Sequence, residues 1–374
     1  MNVLPWLFAL TLAAAPAPSA PGAAGTQAAS TLCAPQYQVL HPEQCPNVGP
    51  GDYAAQLAAS KVPATSPALA AERLPKLTPV VDYTYARVTT ANAPLFSSPA
   101  DGAAGKVSGT LGKGLIFVNL VATVQQGDET YYQIRRGEYI RAADVSTVAP
   151  TDFRGATFSE NPAYPVGWVV LNVRPSLMPG MAPSDNAPAL ARRSLVQIFA
   201  TQRVGDWNWY LIGPQQWVDQ RVIARVDVNP PPEGVSGKWI QVNLYEQTLA
   251  AYEDQRLVYA TLISSGLDKW PTRPGLFHIY VRLQTDRMQG SYEPDGSDFY
   301  YLERVPWVMY FDKGRALHGE YWHDRLGFKR SHGCVNLAPL DARWLFNWAP
   351  KDTAVWVYDP SGQTPVDAEG EGAP

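Results

Sequence analysis

Ala122, Thr123, Gly127, Asp128, Tyr132 and Ile134 recur 78 positions later as Ala200, Thr201, Gly205, Asp206, Tyr210 and Ile212, and Tyr139-Ile140 is answered by Trp217-Val218. A duplication of this kind constrains architecture more than any single motif, because each copy must fold as one small unit. In the first copy, short apolar alternations are separated by turn residues: Tyr85-Ala86-Arg87-Val88, Gly114-Leu115-Ile116-Phe117-Val118, Tyr131-Tyr132-Gln133-Ile134 and Tyr139-Ile140. Period-two runs of this length predict the strands of a small barrel.

At 374 residues the chain exceeds one ordinary core, so several domains are expected. The copies set two of them, at 77–149 and 150–229. The run Asn229-Pro230-Pro231-Pro232-Glu233-Gly234 is a stiff connector poor in hydrogen-bond donors, which starts a third domain at 236–358. Alternation resumes there in Trp239 to Leu244, Leu257 to Ile263, Gly275 to Val281, Trp307 to Phe311 and Ala354 to Tyr358. The fold class expected is mainly β: a sandwich or open barrel with one helix, Pro339 to Trp348, plus two small barrels. Residues 25–76, rich in Ala, Pro, Gly, Ser and Thr, read as a linker with a short helix around Tyr53 to Ala59, and the acidic tail 359–374 is expected to be disordered.

A net charge of −4 argues against nucleic acid as a partner. Residues 1–24 carry an apolar run too short to span a bilayer, followed by Pro, Ala and Ser. They read as a secretory signal peptide, placing the protein in the periplasm or cell wall. In that compartment Cys33 and Cys45 either close a disulfide loop or remain two unpaired thiols, leaving Cys334 as the odd cysteine.

The stretch HGEYWHDRLGFKRSHGCVN, His318 to Asn336, holds three of the five histidines together with Cys334. A thiol attacks an acyl carbon as thiolate and needs an imidazole, a cation or helix-end amides to ionise near neutral pH. His318 is the candidate base, on a strand with Ala316-Leu317, and Lys329 and Arg330 the nearby cations. Gly333 removes a side chain, so the N–H groups of Gly333 and Cys334 are candidates for an oxyanion hole. The helix opening at Pro339 would turn its amide-rich end to the thiol. Zinc on His318, His323, His332 and Cys334 is disfavoured, because regular ligand spacing is absent, so no cofactor or metal is expected.

Ser331-His332-Gly333-Cys334-Val335-Asn336, preceded by His318-Gly319, resembles the signature of the L,D-transpeptidase family with a YkuD-type domain. The resemblance covers about Lys238 to Tyr358 and includes the turn Pro271-Thr272-Arg273-Pro274-Gly275-Leu276-Phe277. The two copies resemble bacterial SH3-like domains, whose aromatics Tyr131, Tyr132, Trp207, Trp209 and Trp217 would form either a peptide groove or barrel core. The family resemblance implies that the Gly319 carbonyl holds the second N–H of the His318 imidazole and that His332 supports the substrate site. Ser331 and Asn336 are expected to shape the loop through main-chain bonds. Arg330 would hold a substrate carboxylate or be surface charge, and Trp322 and His323 would belong to a loop over the cleft. Tyr292, Phe299, Tyr300, Trp307 and Tyr310 would line the way in for a stem peptide or fill the core. Arg192 and Arg193 read as solvated charge.

The activity implied is that of an exported, monomeric cysteine acyltransferase forming 3,3 cross-links between peptidoglycan stem peptides, with carbapenem-type β-lactams as covalent inhibitors. Variants of the same chemistry would pass the acyl group to water, as an L,D-carboxypeptidase, or to an anchored protein. From another class, the chain would be a wall-binding protein without catalysis.

Overall fold

The computed structural model describes residues 69–135 and 137–364. The proposed signal peptide, the Cys33 and Cys45 pair, the helix at Tyr53 to Ala59 and the tail beyond 364 lie outside the described residues. The chain here is mainly β, and its strands fall where the alternation put them.

The main sheet runs through the third domain and out of it. Its strands follow the order Gly275–His278, Ala354–Tyr358, Lys238–Asn243, Thr248–Glu253, Arg256–Ser264, Val335–Leu337, Arg315–Gly319, Tyr300–Asp312, Leu115–Leu120, Thr84–Val88 and Val145–Val148. The last three belong to the first copy. They join through parallel pairing of Leu115, Ile116 and Phe117 with Tyr300, Tyr301 and Leu302. The strand Arg256–Ser264 is buried along nearly its whole length because it is covered on both faces. Tyr259 and Ile263 enter the cluster beneath the helix. Leu257, Ala260 and Leu262 enter the opposite cluster, with Trp168, Val170 and Ala224 of the second copy.

The duplication is repeated in the backbone. Strands Ala122–Gln126, Glu129–Arg135 and Glu138–Arg141 form a three-stranded sheet, followed by a 3₁₀ turn at Ala142–Asp144 and a strand at Val145–Val148. The second copy has Ala200–Val204, Trp207–Gly213, Gln216–Asp219, Gln220–Val222 and Ile223–Val226, each boundary displaced by the same 78 positions. Tyr131 and Trp217 are buried in these units, while Trp207 is exposed under the Arg221 guanidinium.

Three expectations change. The linker reading of 25–76 fails at Ala71–Arg73, which pairs with Ala156–Phe158, and that strand pairs in turn with Arg256–Ser264. Ala156–Phe158 therefore serves the main sheet rather than the second barrel, because its alternating buried Ala156 and Phe158 complete the cluster under Trp168. The segment from Asp359 to Thr364, expected to be disordered, is tied to itself, since the Thr364 N–H and hydroxyl both donate to Asp359.

The helix spans Pro339–Trp348 with Pro in its first turn, as the sequence predicts. Its first turn is bound to the Arg256–Ser264 strand. Asp341 is fully buried there and accepts from the Gly155 N–H at 2.8 Å, the Tyr259 hydroxyl at 2.7 Å and the Thr261 hydroxyl, tying the helix to the Arg256–Ser264 strand.

Candidate active site

Two adjacent strands carry the chemistry. Arg315–Gly319 and Val335–Leu337 pair in parallel, with His318 opposite Asn336 and Leu317 opposite Val335. Cys334 immediately precedes the second strand, so alternation puts its side chain on the same face as Asn336 and His318. All three line one cavity of about 280 Å³, with Ser331, His332, Arg330, Trp322 and His323.

The His318 ring is buried, and its Nδ1 lies 3.1 Å from the Gly319 carbonyl oxygen. A carbonyl only accepts, so Nδ1 carries the proton and Nε2 keeps its lone pair. Burial pushes this imidazole down to about 4 from 6.5, against the opposing pull of the Gly319 bond. At neutral pH it is an uncharged base.

Cys334 is half-buried and free, and its Sγ–H points to the Gly314 carbonyl at 3.8 Å. Burial pushes the thiol up, while the Ala316 N–H and the Arg315 guanidinium pull the other way. The resting pair is thus neutral thiol and neutral imidazole, so His318 is free to act as the base that takes the thiol proton. The cation beside the sulfur is Arg315. Lys329, expected in that role, is engaged by Asp268 at 2.8 Å, and Arg330 borders the cavity nearer His323, whose imidazole it helps hold down.

Arg315 also explains the glycine before the thiol. Gly333 has φ of 115°, and a Cβ there would meet Arg315 Nε at 3.0 Å. The guanidinium is fixed by the Pro271 carbonyl at 3.2 Å and by Asp312, which Arg273 also binds. Thr272 donates to the Gly333 carbonyl at 2.8 Å, so the turn from Pro271 to Phe277 supports the nucleophile loop from below. The Gly333 N–H, expected to face an oxyanion, instead donates to Ser331 Oγ at 3.1 Å, and Ser331 donates on to the Cys334 carbonyl. That side-chain to main-chain bracket is the loop-shaping contact expected of Ser331. Asn336 does otherwise: its Nδ2 faces His323 Nε2 at 3.3 Å.

His332 sits in an aromatic wall. Its ring stacks on Trp270 at 3.9 Å between centroids, with Tyr292 at 5.6 Å and Tyr300 at 5.1 Å. The Tyr292 hydroxyl donates to the His332 carbonyl at 3.0 Å. Tyr310 does not line the cavity. Its hydroxyl is taken by Asp286 at 2.7 Å. Phe299 and Trp307 turn to other packing, the first against the first copy and the second against Phe346 of the helix. Among the described residues, no three His, Cys, Asp or Glu side chains converge as metal ligands.

Sequence reasoning missed several residues. Glu320 is wholly buried and accepts the His323 N–H at 2.9 Å; burial pushes its carboxyl up to about 8. Trp270, Met288, Leu302, Gly314 and Arg315 join the lining, and so does Leu115 of the first copy. Arg192 and Arg193 are not simply solvated, since both reach Asp324 of the site loop. Trp270, just ahead of the Pro271 turn, carried a local signal; Leu115 carried none.

Residues 237–357 match the family model of the L,D-transpeptidase catalytic domain, YkuD. The chain is similar to a putative L,D-transpeptidase, YciB, of Bacillus subtilis (strain 168), at 28% identity over 142 residues, 32% of this chain and 64% of that protein. Among solved structures it is similar to an L,D-transpeptidase from Stackebrandtia nassauensis, with 28% identity, 34% of this chain and 58% of that one covered, and a TM-score of 0.27. It is also similar to the catalytic domain of the E. faecium L,D-transpeptidase acylated by ertapenem, with 28% identity, 33% and 98% covered, and a TM-score of 0.30. The chain thus spans less than two thirds of the first two relatives' own length. Except for Leu115, every residue lining the cavity lies inside the segment that matches the L,D-transpeptidase catalytic domain.

Proposed function

We propose that the chain is an exported acyltransferase that joins peptidoglycan stem peptides through a thioester on Cys334. His318 Nε2 takes the Sγ proton as sulfur attacks the carbonyl carbon of the diamino acid at stem position 3. The bond to the terminal D-Ala nitrogen breaks, and the imidazolium returns the proton to the departing amine. A side-chain amine of a second stem then attacks the thioester and gives its proton to His318. The new C–N bond forms as the C–S bond breaks, and the proton returns to sulfur. The Cys334 N–H is assigned to the oxyanion, since the Gly333 N–H is held by Ser331; one such donor contributes about 3–4 kcal/mol.

The observation that carries this reading is the shared face of one parallel strand pair, with Cys334 two residues from the partner of a buried His318 whose tautomer is set by Gly319. At rest Sγ faces the Gly314 carbonyl, and its hydrogen bond to His318 Nε2 forms as substrate arrives. The apolar N-terminal run supports export to the compartment where such a substrate lies. The test is incubation of purified protein with a tetrapeptide donor and an acceptor stem. D-Ala release and a 3,3-linked product are expected, with a single carbapenem adduct on Cys334 by intact-protein mass spectrometry. Turnover by Cys334→Ala at the wild-type rate would sink the reading.

A further inference from the structure

The loop that precedes the second paired strand of each copy reaches a segment that forms part of the cavity wall. In the first copy this loop ends in Gly114-Leu115, and 78 positions later the second copy has Arg192-Arg193. The equivalence holds in the pairing: Tyr85 lies opposite Asn119 and Val148 in the first copy, and Val166 lies opposite Gln197 and Val226 in the second.

Each loop grips a different wall of the cavity. The Leu115 N–H donates to the Phe299 carbonyl at 2.9 Å, and Leu115 pairs with Tyr300, a cavity residue. A side chain at Gly114 would meet that same Phe299 oxygen at 2.2 Å, so the close approach requires glycine. On the other side, Arg193 Nη2 donates to the Asp324 carbonyl at 3.2 Å and its carboxylate at 3.1 Å, and Arg192 donates to both groups as well. Asp324 directly follows His323, whose ring lines the cavity. Arg193 is itself fixed, with its carbonyl accepting from Arg73 at 2.7 Å and its guanidinium lying over Phe153.

We propose that the duplicated units are paired props of the cleft. The first holds the wall at 291–300 through Gly114 and Leu115, and the second holds the wall at 320–328 through Arg192 and Arg193, which act as positioning residues for Trp322 and His323. Leu115 also presents an apolar surface, with Met288 and Leu302, to an aliphatic part of the acyl donor. This rests on the acyl-transfer reading for its consequence in turnover, though not for the contacts themselves.

Two measurements on the full chain test it. In Arg192→Ala/Arg193→Ala, amides of 320–328 should exchange hydrogen faster while those of 291–300 do not, and Leu115→Ala should do the reverse. With a tetrapeptide donor, the arginine variant should raise KM by roughly three- to tenfold, the scale that two half-exposed ion pairs allow, with kcat held within about twofold. Lysine at both positions should restore part of the loss, and Asp324→Ala should give the same rise without adding to it. Unchanged exchange in both variants overturns the props. Faster exchange with an unchanged KM overturns the positioning role. Changed exchange in the variants, together with a wild-type chain that never acylates Cys334, leaves the props standing and removes the acyl-transfer reading instead.

Discussion

The two copies share the boundaries of four strands and a 3₁₀ turn, yet they are attached to the rest of the molecule in opposite ways. The first extends the edge of the main sheet by main-chain pairing, and Tyr85 stacks on Tyr321 at 3.5 Å between centroids while its hydroxyl donates to the Arg304 carbonyl. The second lies on the face of that sheet, where Trp168, Val166 and Val170 meet Trp239, Tyr252 and Leu262, while Val170 and the two arginines reach the site loop. A duplicated unit can therefore be recruited by hydrogen bonds along an edge or by apolar area over a face. The edge pairing runs through Leu115, Ile116 and Phe117 in one copy, and the face packing through Val166, Trp168 and Val170 in the other.

Removing the face contact should have the largest effect. Trp168 is completely buried, so Trp168→Ala should destabilise the fold by about 3–5 kcal/mol, read in urea as one earlier transition for the whole described body. If the second copy unfolds alone and acyl transfer survives, face packing is not what joins it. The edge contact is tested by Gly114→Ala, which adds strain at φ of 135° and a clash with Phe299. A loss of about 1–3 kcal/mol is expected, with lost protection of the Tyr300–Leu302 amides, while Gly127→Ala, where space is open, should leave that pairing intact.

Glu320 lies on the loop between the two attachments. Its carboxyl stays protonated in the fold up to about 8, whereas the unfolded chain loses the proton near 4.5. The unfolded state therefore binds fewer protons between those values, and stability falls as pH rises across the window. Glu320→Gln should flatten that decline in thermal melts taken from pH 4.5 to 8. The smallest effect belongs to the arginines. Arg192→Ala should cost under about 1 kcal/mol, shrinking further in high salt because Asp324 is half-exposed. Leu115→Ala, at the edge joint, should show no such salt dependence.

Much of this was legible in the chain. The strands were readable because alternation and burial agree in runs such as Leu257 to Ile263, and the helix because Pro339 marks its start. Cys334 and His318 stood out as candidates because reactive side chains are crowded into a short stretch, and the strand pairing brings them to one cavity. The cation was not, because Arg315 reaches the sulfur only after Arg315–Gly319 pairs with Val335–Leu337. Leu115 and the arginine pair were hidden for the same reason, since contacts across well over a hundred residues leave no local pattern. Glu320 escaped because a carboxylate in an exposed-looking polar run gives no hint that it will be enclosed.

The parallel pairing of Leu115–Leu120 with Tyr300–Asp312 also sets an order of assembly. As the chain grows from its N-terminus, the first copy emerges with that edge open and must wait for a partner made much later. An unpaired edge of this kind invites pairing with a neighbouring chain. The interval before residue 300 is synthesised is thus the period when this protein is most exposed to aggregation, and a chain cut short ahead of Tyr300 should keep that exposure permanently.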